Sequence, residues 1–72
     1  MRATILDKQI NIDKNLRDYL TLKLANDRMV FSFPNKMDQG RWDQLITGNT
    51  YDFTVEENEQ GYLLLIDFAF AV

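Results

Sequence analysis

Apolar and polar residues alternate in several short runs along this chain, a pattern typical of β-strands with one buried face. The clearest run is residues 19–24, where three leucines share one face. Residues 28–33 alternate in the same way, and a polar turn at residues 25–27 separates the two runs. Two alternating runs joined by a short turn predict a β-hairpin. In the second run, the residues interpreted as facing the core are Met29, Phe31 and Phe33.

Three further runs predict strands at residues 3–10, 51–55 and 62–70. The last of them is apolar on both faces, with Leu63 and Leu65 on the face opposite Tyr62 and Leu64. A strand of this kind is either covered on two sides or in contact with a partner subunit. The last strand is therefore the predicted contact of any homo-oligomer. The inward residues of the fourth strand are predicted to be Tyr51, Phe53 and Val55.

A short helix is predicted between the third and fourth strands. Pro34 ends the third strand because proline lacks the N–H that the ladder requires. Asn35 is the predicted N-cap, and the regular part of the helix is expected from about Gly40, where the segment is interrupted. Trp42 is expected to fill one end of the sheet structure. The predicted apolar stripe consists of Met37, Trp42, Leu45 and Ile46.

The chain has 72 residues, of which 46% are hydrophobic, and it contains neither cysteine nor histidine. This length predicts one domain, residues 1–72, that buries about 60% of the surface exposed by the unfolded chain. Disulfide bonds are excluded, and zinc is not expected because its ligands are mainly of those two types. Stability is therefore expected to come from the apolar core or from self-association.

The composition also argues against an enzyme. The usual general base and thiol nucleophile are missing, and the three glycines are too isolated to form a phosphate-binding loop. Residues 11–15 resemble the start of a calcium loop, but Leu16 replaces its glycine and Leu22 its final glutamate. We therefore expect no catalytic residues, no metal ion and no cofactor.

The net charge of −3 is unevenly distributed. Residues 1–36 carry seven basic and four acidic side chains, a balance of +3, whereas residues 37–72 carry one basic and seven acidic side chains, a balance of −6. A polyanion would be attracted to the first half and repelled by the second. Ordinary scatter of surface charge is the alternative explanation.

Charged residues occur from Arg2 onward, before the apolar core of a signal peptide could form. The longest apolar stretch, residues 62–66, is far shorter than the roughly 20 residues that cross a bilayer. A cytoplasmic location without membrane contact is therefore the expectation.

Five strands with a helix between the third and fourth match the connectivity of the OB barrel. The pattern from residue 3 to residue 66 resembles the smallest OB proteins, the S1-like type that includes bacterial translation initiation factor one. The residues that carry this resemblance are 3–7, 20–30, 35–37 and 45–53. It implies a mostly β fold, a small five-stranded OB-like barrel. Such barrels bind ligands on strands two and three and on the loops that join strands one to two and four to five.

On this face an outward tyrosine could stack on a base, and basic side chains could follow the phosphates. The candidate nucleic-acid-binding residues are Lys14, Arg17, Tyr19, Thr21, Lys23, Arg28 and Ser32. The chain departs from RNA-binding family members in two ways. It is acidic around the helix and the last strands, and only Tyr19 is an outward aromatic residue in the predicted strand faces.

The resulting hypothesis is a non-catalytic protein that binds single-stranded DNA or RNA. The alternative is a small acidic protein-interaction module, such as an inhibitor or an accessory subunit of a larger assembly. The acidic second half favours the alternative, because an acidic surface competes for basic patches on other proteins. The shortness of the chain suggests a phage or another mobile element as its source.

Overall fold

The computed structural model describes residues 1–71, which form mainly strands and one short helix. The elements are β1 (Arg2–Ile12), β2 (Asp18–Leu24), β3 (Met29–Ser32), α1 (Gln39–Trp42), β4 (Thr50–Glu57) and β5 (Leu63–Phe70). Every predicted strand is present, and the helix lies between β3 and β4 as expected. No helix within residues 1–71 is long and apolar enough to cross a membrane.

The five strands close into a barrel in the order β1-β2-β3-β5-β4, and β4 returns to β1. Neighbouring strands are antiparallel except β3 and β5, which pair in parallel. The seam between β1 and β4 is short and involves only residues 2–4 of β1 in the register. A closed five-stranded barrel with a helix at this position is compatible with an OB-like fold.

Side chains from all five strands fill the barrel. The three leucines of β2 are fully buried, as their alternation predicts, and Tyr51 and Phe53 of β4 lie in the same core. The Tyr51 hydroxyl donates to the Gln44 carbonyl and accepts from the Ile46 N–H, each at 2.9 Å. The polar end of this buried ring is therefore satisfied.

The face predicted for β3 is wrong. Val30 and Ser32 point into the barrel, whereas Phe31 and Phe33 are half-buried on the outside and Met29 is exposed. The hairpin register pairs Val30 with the central core leucine of β2. Cross-strand partners share a face, so this pairing forces the phenylalanines outward.

A bulge changes the alternation of β5. Leu65 pairs with Val55 and Asp67 pairs with Thr54, so Ile66 is an extra residue without an opposite partner. Leu65 is consequently in the core, and Leu63 packs against it. The sequence left two explanations open for these leucines, cover on both faces of the strand or contact with a partner subunit; the barrel covers Leu65 and leaves Leu63 half-buried.

One end of the barrel is closed by Trp42, which is 2% exposed, as the sequence predicts. Its indole N–H donates to the buried Ser32 hydroxyl at 2.8 Å. The Lys8 ammonium group donates to the carbonyls of Trp42 and Leu45, at 2.6 and 2.9 Å. These bonds satisfy carbonyls at the end of α1 and fix the turn that follows it.

The start of the helix and one part of its stripe differ from the prediction. Asp38 rather than Asn35 is the N-cap of α1, and its carboxylate accepts a hydrogen bond from the Gly40 N–H. Met37 and Leu45 are buried, but Ile46 is exposed. The helix is only four residues long, so Ile46 lies beyond its end and outside its periodicity.

Arg41 joins α1 to β5. Its guanidinium donates to the Asp67 carboxylate at 2.6 Å and to the Phe68 carbonyl at 3.2 Å, and it lies 4.5 Å from the centre of the Phe68 ring. The hydrogen bond from Arg41, together with one from the Phe68 N–H, holds the pKa of Asp67 below its usual value. The contact is therefore complete only when Asp67 is ionised.

Candidate nucleic-acid interface

Three adjoining depressions form one groove across the outer surface of β2, β3 and β5. Their volumes are about 610, 300 and 270 Å³. The first and second share Phe33 and Leu64 in their walls, and the second and third share Phe31 and Tyr62. The depressions therefore lie side by side, and we call them together the aromatic groove.

Four aromatic rings line the centre of this groove as two pairs. Tyr19 and Phe33 are stacked, with ring centres 5.8 Å apart and an angle of 24° between their planes. Phe31 and Tyr62 meet edge to face, with ring centres 5.3 Å apart and an angle of 78°. Together the pairs present a broad apolar surface with tyrosine hydroxyl groups, which suits planar ligands.

The rings meet because strand pairing places them on one face. Phe31 lies opposite Thr21 of β2 on the outer face. Alternate residues of a strand share a face, so Tyr19, two residues before Thr21, and Phe33, two residues after Phe31, also lie on the outside. On its other side, β3 pairs in parallel with β5 and brings Leu64 beside Phe31. Tyr62, two residues before Leu64, then reaches the same surface.

Basic side chains lie at both ends of the aromatic groove. Arg17 and Lys36 line its wide end, and Arg28 lines its opposite end. Within residues 1–71, the ion pairs are formed by other arginines, Arg2 with Asp52 and Arg41 with Asp67. The three cations of the groove therefore remain available for an anionic ligand.

Acidic residues also line the groove, but one of them has a structural role. Asp13 accepts hydrogen bonds from the backbone N–H groups of Asn15 and Arg17 through one carboxylate oxygen. This arrangement shapes the β1–β2 loop and sets the position of Arg17. Asp18 and Asp27 are exposed at the two ends of the groove, each near one of its cations.

The two loops that border the groove are built by the same hydrogen-bond scheme. In the β4–β5 loop, the Asn58 side chain accepts from the N–H groups of Gln60 and Tyr62, two and four residues later, as Asp13 does in the β1–β2 loop. Each loop also has a residue with positive φ before its last position, Gly61 at 85° and Leu16 at 60°. The scheme fixes Tyr62 on one side of the groove and Arg17 on the other.

Leu16 is under conformational strain that its counterpart Gly61 avoids. A leucine in the left-handed region costs about 1 kcal/mol relative to glycine, and Leu16 is 85% exposed, so little burial compensates. We expect Leu16→Gly to raise the free energy of unfolding by about that amount. Urea titration measures the change. Leu16→Ala retains a Cβ and is the control; an equal gain from alanine would contradict the strain argument.

The structure brings together only some of the residues predicted from the sequence. Arg17, Tyr19 and Arg28 line the aromatic groove. Thr21 and Lys23 lie beside it on the outer face of β2, and Lys14 is exposed in the β1–β2 loop but outside the groove walls.

Ser32 cannot contact a ligand on this face. It is 1% exposed, points into the barrel and accepts the hydrogen bond from Trp42. Its assignment to the ligand face followed from the incorrect orientation of β3. The same error hid the outward position of Phe31 and Phe33.

Several groove residues were not predicted from the sequence, and they share one property: their position depends on β3 or on pairing across the barrel. The outward position of Phe31 and Phe33 could have been inferred from the length of the β2–β3 turn, because that length sets which residues of the two strands lie opposite each other. No local signal identified the remaining residues, Lys36, Tyr62 and Leu64.

Comparison of the chain with known protein families, with curated proteins and with solved structures gives no significant match.

Proposed function

We propose that this protein binds single-stranded DNA or RNA in the aromatic groove and carries out no catalysis. The observation that carries the proposal is the row of paired aromatic rings between basic side chains on the outer face of β2, β3 and β5. Proteins that bind single strands combine stacking surfaces with cations that follow the backbone. In the S1-like proteins that the sequence resembles, ligands bind on the corresponding face, which supports the proposal.

The spacing of the rings suits two neighbouring bases. Phe31 and Phe33 are two residues apart on one strand, which separates them by about 6–7 Å. A nucleotide chain whose bases are unstacked from one another can bridge such a gap, with each base resting on one aromatic pair. Base–aromatic stacking contributes about 1–3 kcal/mol per base and accepts any base. We therefore expect little sequence preference.

The cations are placed to contact phosphates on either side of those two bases. Arg17 and Lys36 would meet one flank of the strand, and Arg28 the other. A bound duplex keeps its bases stacked inside and could use only the cations. The groove thus favours single strands, because only they expose base faces to the rings.

Fluorescence anisotropy with labelled single-stranded oligonucleotides tests the proposal. We expect binding in low salt, with a plot of log affinity against log salt concentration whose slope is about −2 for three phosphate contacts. Arg17→Gln should make the slope less negative by about 0.7. Arg2→Gln is the charge-matched control, since Arg2 lies on the β1–β4 seam away from the groove.

Absence of binding in low salt at the highest soluble concentration would contradict the proposal. An equal change of slope in Arg2→Gln and Arg17→Gln would contradict the assignment of the groove. Duplex DNA of the same length serves as the competitor and should compete poorly.

One observation favours the second candidate, an acidic module that binds a basic partner protein. The acidic side chains at the end of β4 and in the β4–β5 loop are all exposed: Glu56, Glu57 and Glu59. They border the side of the barrel that carries Tyr62. Capture of a protein partner that survives nuclease treatment, together with flat anisotropy curves, would select this candidate over nucleic-acid binding.

A further inference from the structure

The second half of β1 has an open edge. On one side it pairs with β2 through Ile12, and on the other side its pairing with β4 includes only residues 2–4. Ile5 adds backbone hydrogen bonds to Asn49 and Gly48, and the β4 side has no further backbone partner within residues 1–71. Residues 6–12 therefore form a free strand edge, which we call the β1 edge.

The alternation of hydrogen-bonded and non-bonded residue pairs between β1 and β2 shows which backbone groups of the β1 edge have no partner. The Asp13 N–H donates to the Arg17 carbonyl at the closed end of the β1–β2 hairpin. Bonded and non-bonded pairs alternate along an antiparallel ladder. Lys8, Ile10 and Ile12 must therefore direct their N–H and carbonyl groups away from β2, toward the open side.

The β1 edge carries three apolar side chains among polar ones, and a β-bulge between Ile5 and Asp7 lies at its start. Leu6, Ile10 and Ile12 are all exposed. Lysine side chains often guard such edges, but Lys8 is turned toward the carbonyls of Trp42 and Leu45. An exposed strand edge whose lysine is engaged elsewhere can accept another strand.

We propose that two copies of this chain pair in antiparallel fashion along the β1 edge, about a two-fold axis at Gln9. This register places Asp7 opposite Asn11 and Lys8 opposite Ile10, and it brings Leu6, the extra residue of the β1 bulge, near Ile12. Residues 6–12 contain one acidic and one basic side chain, so the paired segments carry no net charge.

The charges select this register over its neighbours. Centring the pair on Ile10 sets Asp7 against Asp13, and centring it on Lys8 sets that lysine against its own copy. Like charges directly opposite each other destabilise strand pairs. Of these registers, only the one centred on Gln9 sets no like charges opposite each other. The segment is therefore complementary to a second copy of itself, and a second copy is the proposed occupant of the edge.

Sedimentation equilibrium over a concentration series that reaches the millimolar range tests the association. We expect a monomer–dimer equilibrium, and Ile10→Lys should weaken it about tenfold by opposing Lys8 of the second copy. Phe70→Lys is the control, because Phe70 is 61% exposed, Ile10 is 54% exposed, and Phe70 lies on β5, which does not pair with β1. A strictly monomeric protein, or equal weakening by both variants, would overturn the proposal.

The register has its own test, helped by the absence of natural cysteine. At a non-bonded antiparallel pair the Cα atoms are about 4.5 Å apart, within the range of a disulfide. Gln9→Cys should therefore form a covalent dimer on mild oxidation, and the exposed Gln60→Cys should do so much less. Equal crosslinking of the two variants would overturn the Gln9 axis. Neither experiment involves nucleic acid, so the outcome is independent of the proposed function.

Discussion

Replacing Trp42 by alanine is expected to remove about 3–5 kcal/mol from the free energy of unfolding. A domain of 72 residues has a total free energy of unfolding on the order of 4–11 kcal/mol, so the variant should lose between about a quarter and all of its stability. The reason is structural: the Trp42 ring is buried in the core, and its indole N–H donates to the Ser32 hydroxyl. Urea titration followed by circular dichroism measures the loss.

The hydrogen bond from Trp42 to Ser32 can be separated from the packing of the ring. Ser32→Ala leaves the buried indole N–H without an acceptor and should cost about 1–3 kcal/mol. Trp42→Phe leaves the serine hydroxyl unsatisfied. The double variant removes both partners, so its cost should be clearly below the sum of the two single costs. Simple additivity, within about 0.5 kcal/mol, would contradict the coupling.

Tyr62→Ala is expected to weaken binding of single-stranded oligonucleotides about 5- to 150-fold, which corresponds to the loss of about 1–3 kcal/mol of stacking. Tyr62 is 54% exposed and packs edge to face on Phe31, so its removal opens one of the two aromatic pairs. The fold should be retained, because the ring lies outside the core. Anisotropy at fixed salt measures the loss of affinity.

Phe70→Ala is the matched control for this prediction. Phe70 is 61% exposed at the other end of β5 and lies outside the aromatic groove. Its replacement should leave the affinity unchanged. If both variants lose affinity equally, the effect comes from general destabilisation and the groove is not the binding surface.

The β2–β3 hairpin shows which buried faces the local sequence pattern predicts and which it does not. The alternation of β2 predicts its buried leucines correctly, because one face of the strand is purely apolar. In β3 both faces carry apolar residues, so the alternation does not decide which face is buried. The larger size of the phenylalanines was the one reason to predict that their face is buried. The three-residue turn contained the answer: it makes Leu24 and Arg28 opposite, so Leu22 and Val30 share the core face.

Other features depend on the closed barrel and could not be inferred from local sequence. The bulge at Ile66 lies in β5, which pairs with β4 on one side and with β3 on the other. It moves Leu65 into the core. The aromatic groove combines residues from β2, β3 and β5 with four connecting segments, those between β1 and β2, β2 and β3, β3 and α1, and β4 and β5. Sequence alone predicted its residues Arg17, Tyr19 and Arg28 through the fold resemblance, but not the other three rings.

The parallel seam between β3 and β5 has a consequence for the order of folding. The β2–β3 hairpin closes over a few residues and can form early, whereas the seam joins Val30 to Leu63 and Phe31 to Leu64 across the intervening helix and strand. Closing so long a segment is entropically slow, so this step is expected late in folding. Tyr62 meets Phe31 only when the seam forms, and the nascent chain should therefore complete the aromatic groove last.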